Sequence, residues 1–398
     1  MELKTPVSCR YKFATIVLAA TLFTSAAAAA ELPIYRFVDL GALDGANDSA
    51  AGAISDNGVV MFSDISQKVD GHGIRIWMPG HPKLTDGKVL RPNFPAREHF
   101  DAIDVNDKGQ LLLFRSPRQK TNPGLCLWTP KVFEGPDGTV ISLNLQFPDC
   151  SFDSNATLLN DGSIIGNFLD RRKNLQLPRV PMRGAPSTPE GQWTMSVIQD
   201  AKSGKSPDTT VSDHNSRGAM VTYRAAKGDY NLWRLSEDKA QWRGTCIGQK
   251  DPTGAIDESF QAEAISNTNI VAGSSNGRLF ALWLDEKDEV IRSVPIERPE
   301  RLSGELRIKG AADNGAVIGN VGNFRSFVWW EKRGSLEIGA VTEGVPAGWQ
   351  LTVSDINASG WIIGTAYRGK APPPRGSGLK LPSRSAFVLV PKADLQNQ

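Results

Sequence analysis

The chain reads as an all-β protein, a single seven-bladed β-propeller of four-stranded blades. Three observations predict this: short apolar runs alternate with polar turns along the length, seven of the resulting hairpins recur at near-regular spacing, and no stretch sustains a helical period.

The best-formed hairpin is Val353–Gly364, where two runs of apolar and β-branched residues flank Asn-Ala-Ser-Gly. Such a segment suits a strand, a type I turn closed by a left-handed glycine, and a returning strand. Related hairpins stand near 51–60, 102–111, 156–166, 211–221, 262–273 and 309–319, with 353–364 as the seventh. Their turn position falls at Gly58, Gly109, Gly162, Gly218, Asn269, Gly315 and Gly360, spaced 45 to 56 residues apart. Asn269 replaces glycine once, and Asn is the side chain that best tolerates a left-handed backbone.

A third apolar run follows each hairpin: Ile74–Trp77, Leu125–Trp128, Val180–Met182, Asn231–Trp233, Leu279–Trp283, Ser326–Trp330 and Ala386–Leu389. A fourth comes next at Lys88–Leu90, Thr139–Leu145, Trp193–Gln199, Gln241–Gly248, Val290–Ile296 and Leu336–Val341. Four antiparallel strands separated by Pro and Gly make a propeller blade. The last repeat ends without a fourth strand, whereas Tyr35–Ala42 precedes the first hairpin with the pattern of one. Pairing it with Ala386–Val390 would close the ring and remove an exposed sheet edge.

Length and charge fit a large globular domain: 398 residues, 40% hydrophobic, 22% charged and a formal net charge of +2. Bulk nucleic-acid binding is not suggested by that balance. Residues 1–30 carry Lys4, Arg10 and Lys12, an apolar run from Phe13 to Phe23 and an alanine tract to Ala30. This is the pattern of a secretory signal peptide, which would leave residues 31–398 as an exported, periplasmic or extracellular propeller without a membrane anchor, expected to be monomeric. Outside it stand Cys126, Cys150 and Cys246. A local Cys126–Cys150 bridge is one reading in an oxidising compartment, and three buried thiols are the other.

The segments Phe37-Val-Asp-Leu-Gly41, Ala53-Ile-Ser-Asp-Asn-Gly58 and Asp355–Gly364 resemble the bacterial extracellular HAF repeats. The pattern covers the chain after the leader but departs in the signature triplet. Where His-Ala-Phe is expected stand Arg278-Leu-Phe280, Arg325-Ser-Phe327 and Arg384-Ser-Ala-Phe387. The resemblance implies a propeller-like fold and export, and it carries over no functional residue.

Catalytic motifs fail on inspection. Gly273-Ser-Ser-Asn-Gly277 spells a nucleophile elbow without the helix that should follow, and Gly204-Lys-Ser lacks the upstream glycine of a phosphate loop, which is Gln199. Asp104-Val-Asn-Asp-Lys-Gly109 and Asp355-Ile-Asn-Ala-Ser-Gly360 begin like calcium loops but lack the closing acid, so hairpin turns are the better reading and no resident cofactor is expected. Innermost strands line a propeller's channel. Asp104, Asp213, His214 and Asp355 could therefore converge there around a divalent cation or a proton, or else satisfy strand-end backbone groups.

Of the tryptophans, Trp77, Trp128, Trp233, Trp283 and Trp330 recur at one place in the repeat and are expected in the core, whereas Trp349 and Trp361 break register and are candidates for exposed stacking. The loops joining second to third strands are rich in cations, including Arg115, Arg118, Arg171, Arg172, Lys173, Arg278, Arg325, Arg368, Arg375 and Arg384. One basic mouth would hold an anionic polysaccharide or an acidic protein surface. Two alternatives are a lyase or hydrolase on an anionic glycan, with His99 or Tyr367 moving the proton, and a protein-interaction scaffold without a small ligand.

Overall fold

In a computed structural model, the described residues are 35–41, 48–64, 73–79, 88–90, 92, 99–116, 124–131, 138–142, 150–152, 156–170, 180–186, 193–198, 201–203, 211–222, 230–236, 241–248, 256–257, 259–300, 302–322, 325–368 and 384–392. The expected leader, residues 1–30, lies outside them. Among the described residues no helix is long and apolar enough to cross a membrane.

Among the described residues the strands form seven sheets, antiparallel apart from one short added strand, and six of them are built from strands consecutive in sequence. The first takes Ser49–Ile54, Val60–Asp64, Gly73–Met78 and Lys88–Leu90; the second His99–Val105, Leu111–Ser116, Gly124–Pro130 and Gly138–Ser142. The third sets Cys150–Phe152 and Thr157–Leu158 against Ile164–Asp170, then adds Val180–Pro186 and Trp193–Val197. The fourth runs Val211–His214, Ala219–Thr222, Leu232–Leu235, Trp242–Thr245, and the fifth Gln261–Ile265, Ile270–Ser275, Arg278–Leu284, Val290–Ile296. The sixth runs Leu306–Ala311, Val317–Val321, Arg325–Trp330, Gly334–Glu337.

The seventh sheet joins the two ends of the described chain. Trp349–Ile356, Ile362–Arg368 and Arg384–Pro391 are followed by Tyr35–Asp39, with Phe37 opposite Leu389 as the N-terminal strand expectation requires. A fifth short strand, Thr342–Glu343, runs parallel beside Tyr35 and Arg36. Uniform four-stranded blades are thus corrected in two places: this added strand, and the split inner strand of the third sheet. The expected strand Leu336–Val341 also changes, ending at Glu337 and continuing as one 3-10 turn, Ile338–Val341, which buries Ile338 and Val341.

Neighbouring sheets pack through apolar layers, a β-propeller arrangement. One layer joins Ala281 and Ile296 of the fifth sheet to Ile308, Phe327 and Trp329 of the sixth. Another joins Phe62 and Trp77 of the first to Trp361 and Val388 of the seventh. Each strand contributes to two layers because successive side chains point to opposite faces. The second strands carry glycine where this packing is tightest. A Cβ at Gly364 would stand 2.1 Å from the Thr352 carbonyl oxygen and 2.7 Å from the Phe387 ring.

Two tryptophan expectations are corrected. Trp329, not Trp330, holds the repeat position, pairing with Val317 as Trp77 pairs with Val60; Trp330 is half-buried and stacks on Tyr35. Trp361 is buried against Trp77 rather than exposed, and Trp349 packs edge-on against Phe37. Their register was read from spacing, and a tandem Trp-Trp leaves the face of each residue undetermined until strand pairing fixes it.

The turn residues adopt positive φ as expected, including Asn269 at 63°. A further reason for Asn emerges there: its Oδ1 accepts a bond from Arg234 Nη2, 2.9 Å away. Arg234 and Arg243 of the fourth sheet both donate to Asp288, whose side chain is wholly buried in the 3–4 turn of the fifth. Removing one partner from such a cluster leaves charge uncompensated. Asp288→Asn should lower stability by roughly 2–3 kcal/mol in urea unfolding, while Asn269→Gly, which keeps the backbone, should cost about 1 kcal/mol.

Candidate functional site

Three inner strands share the sequence Asp-x-Asn: Asp104-Val-Asn106, Asp213-His-Asn215 and Asp355-Ile-Asn357, in the second, fourth and seventh sheets. Each strand bulges one residue before the aspartate, where register shifts between Ala102 and Asp104, Val211 and Asp213, and Val353 and Asp355. A bulge re-aims the side chain that follows it. One carboxylate oxygen then accepts the next residue's N–H, at 2.8 Å for Val105 and His214 and 2.7 Å for Ile356. The other accepts an N–H of the following sheet: Leu158 at 2.7 Å, Ile265 at 2.9 Å and Ile54 at 3.4 Å.

The asparagine completes the connection. Its Oδ1 accepts N–H groups of its own turn, such as Gln110 at 3.1 Å, Ala219 at 2.9 Å and Trp361 at 2.9 Å. Its Nδ2 donates to a carbonyl of the following sheet: Leu159 at 3.2 Å, Ser266 at 2.9 Å and Ser55 at 3.2 Å. The two side chains clasp one sheet to the next by both a donor and an acceptor. Of the two expectations for these aspartates, the satisfaction of strand-end backbone groups is the one observed, and the bonds to the following sheet add to it.

Asp104, Asp213, His214 and Asp355 do converge. With Asp56 and Asp313 they line a cavity of about 120 Å³ whose lining includes no Lys or Arg. That volume suits water rather than a sugar or peptide. At the turn end, Asn267 of the fifth sheet reaches across to Asp56 of the first, Nδ2 to Oδ2 at 3.5 Å. Among the described residues no group of three or more His, Cys, Asp or Glu is placed to hold a metal ion.

Burial, opposed by the backbone bonds, pushes Asp104 and Asp213 up to about 7. Burial and then the neighbouring Asp213 and Asp104 charges push Asp355 well above the carboxylate range. Burial brings His214 down to about 4. The side chains of Asp213 and His214 keep 30% and 21% of their surface open, so channel water can carry protons to them.

The other candidate residues are scattered. His99 opens the inner strand of the second sheet opposite Ser116, with its side chain outside the described residues, and half-buried Tyr367 lies in the seventh between Gln350 and Arg384. The two residues belong to different sheets. Arg115 and Arg368 are placed by backbone alone, near the ends of their strands. Arg118, Arg171, Arg172, Lys173 and Arg375 lie outside the described residues. Arg278 and Arg325 open the third strands of the fifth and sixth sheets, exposed and with no ion pair among the described residues. Arg384 is engaged with Asp48 at 3.6 Å. Cys126 is buried, and the Cys150 side chain lies outside the described residues.

A second concavity escaped the sequence reading. At the turn end between the fifth and sixth sheets, a groove of about 620 Å³ is lined by Thr268, Trp283, Asn314, Trp330, Lys332 and Arg333, among others.

No family model and no curated protein matches the chain, so the HAF-repeat resemblance rests on the residues quoted for it. Among solved structures, YCF48 from Cyanidioschyzon merolae is 10% identical, with a TM-score of 0.48, covering 90% of this chain and 99% of its own. The Dos1 propeller is 9% identical with a TM-score of 0.44, covering 90% and 95%. A luciferin-regenerating enzyme is 10% identical with a TM-score of 0.38, covering 89% and 95%.

The channel gives stability a pH dependence. Asp104 and Asp213 bind protons more readily folded than unfolded, so their contribution is fully present below about pH 4 and is lost as pH rises through about 7. His214 acts oppositely, costing stability as pH falls from 6.5 towards 4. Between about pH 6.5 and 8 the aspartates dominate, and the urea midpoint should fall as pH rises. Asp104→Asn with Asp213→Asn should flatten that slope, and equal slopes in variant and parent would reject the assignment.

Proposed function

We propose that the chain is an exported binding protein in which the seven sheets are the blades of one ring, closed by the N-terminal strand. Its outer faces, rather than its channel, hold an anionic partner, either an acid-bearing polysaccharide or an acidic protein surface. The observation that carries this reading is the contrast between two sets of polar groups. The channel aspartates Asp104 and Asp213 clasp sheet to sheet, whereas Arg278 and Arg325 stand exposed, with no ion pair among the described residues, at the same corner of adjacent sheets.

Fully solvated arginines attract carboxylate or phosphate and offer it a planar fork. Arg115 and Arg368, placed by backbone, together with Arg118, Arg171, Arg172, Lys173, Arg375 and the leader, which lie outside the described residues, extend the reading as sequence expectations. Monomeric state belongs to the same proposal, since closure leaves no unpaired ring edge to join a second copy.

Retention on an anionic matrix should be strong at low salt and fall as ionic strength rises, because exposed charges are screened. Arg278→Ala with Arg325→Ala should elute at lower salt than the parent. Elution at an unchanged position, or retention indifferent to salt, would remove these two arginines from the binding face.

A further inference from the structure

The groove between the fifth and sixth sheets is a distinct candidate from the arginine corner. It lies at the turn end of these sheets, opposite the end that carries Arg278 and Arg325, which stand where second strands pass into third. Its acids are already engaged. Asp313 accepts the N–H groups of Asn267 at 2.7 Å and Thr268 at 3.2 Å, and Glu331 pairs with Arg292 at 2.8 Å. Lys332 and Arg333 are exposed and make no ion pair among the described residues. The groove therefore sets two exposed cations beside Asp313 and an Arg292-paired Glu331.

Its other feature is aromatic. Trp283 has Arg292 over its ring at 4.0 Å and Trp329 at 6.2 Å, which hold it in place. Trp330 stacks on Tyr35 at 6.3 Å, and it too lines the groove. An indole in a groove is a platform for a flat ligand with C–H groups on its face, and the adjoining cations ask for an acid on the same ligand.

We propose that this groove binds a uronate-type saccharide, the pyranose ring lying against Trp330 and its carboxylate between Lys332 and Arg333. A peptide fits less well. The groove is walled by turns and strand ends, whereas an extended peptide docks by adding to an open sheet edge and a helical one needs a continuous apolar channel. The ligand class follows from the anionic-partner reading above, but the site does not, and the two can be separated.

The test is calorimetric titration of the full chain, at low ionic strength, with a galacturonate oligomer, a galactose oligomer of equal length and an aspartate-rich peptide. The galacturonate oligomer should bind and the galactose oligomer should not. Lys332→Glu with Arg333→Glu, which touches no buried residue, should weaken binding by about tenfold or more, as should Trp330→Ala once its thermal unfolding shows it folded. Arg298→Ala, an exposed cation outside both the groove and the arginine corner, should leave this binding unchanged. Equal binding of the neutral oligomer, or indifference to the Lys332 and Arg333 reversal, would overturn the groove. Peptide binding without saccharide binding would overturn the ligand class. Loss on changing Arg278 and Arg325 alone would leave the anionic-partner reading standing and the groove refuted.

Discussion

Hydrogen bonds that leave one sheet and end on the backbone of the next are the constraint on which this structure depends. An antiparallel sheet satisfies its own strands but not the inner strand's outward-facing N–H and C=O groups, and those groups lose water when sheets converge on a channel. A buried backbone group without a partner costs free energy of the order of a lost hydrogen bond. In the second, fourth and seventh sheets an aspartate and an asparagine two residues apart supply the missing acceptor and donor together. The same pair also fixes the turn that follows, through the asparagine Oδ1. Elsewhere the work is shared differently: Glu263 accepts from Ile308 at 3.2 Å, and Asn320 exchanges bonds with Val353.

That arrangement explains why carboxylates sit in a cavity whose lining holds no Lys or Arg. Their positions are dictated by the backbone they serve, and the electrostatic cost is met by raised proton affinity rather than by a countercharge. A cluster of acids in a channel invites a catalytic or metal-binding interpretation. Here each oxygen of the clasp aspartates accepts a backbone donor, which gives these carboxylates a structural role in joining the sheets.

The sequence made the architecture legible because hairpins are local. Strand alternation, the turn glycines and even Asn269 are fixed by residues a few places apart, and the structure has them where spacing put them. What spacing could not reveal is whatever depends on a neighbouring sheet. The second partners of Asp104 and Asp355 lie 54 and 301 residues away, so their role was ambiguous between ligand and clasp. Trp329 and Trp330 could not be told apart without knowing which residue faces Val317. The groove beside them is assembled from turns of two sheets, and none of its residues forms a motif alone.

The pairing of Tyr35–Asp39 with Arg384–Pro391 has a kinetic side. These strands lie at opposite ends of the sequence, so the contact is among the most non-local a chain of this length can make, and such contacts form late because a long loop must be closed first. Until the last strand is available, Tyr35–Asp39 lacks its antiparallel partner. A chain emerging from one end first therefore holds an unfinished fold that is slow to lock. Its final strand is a timer as much as a staple.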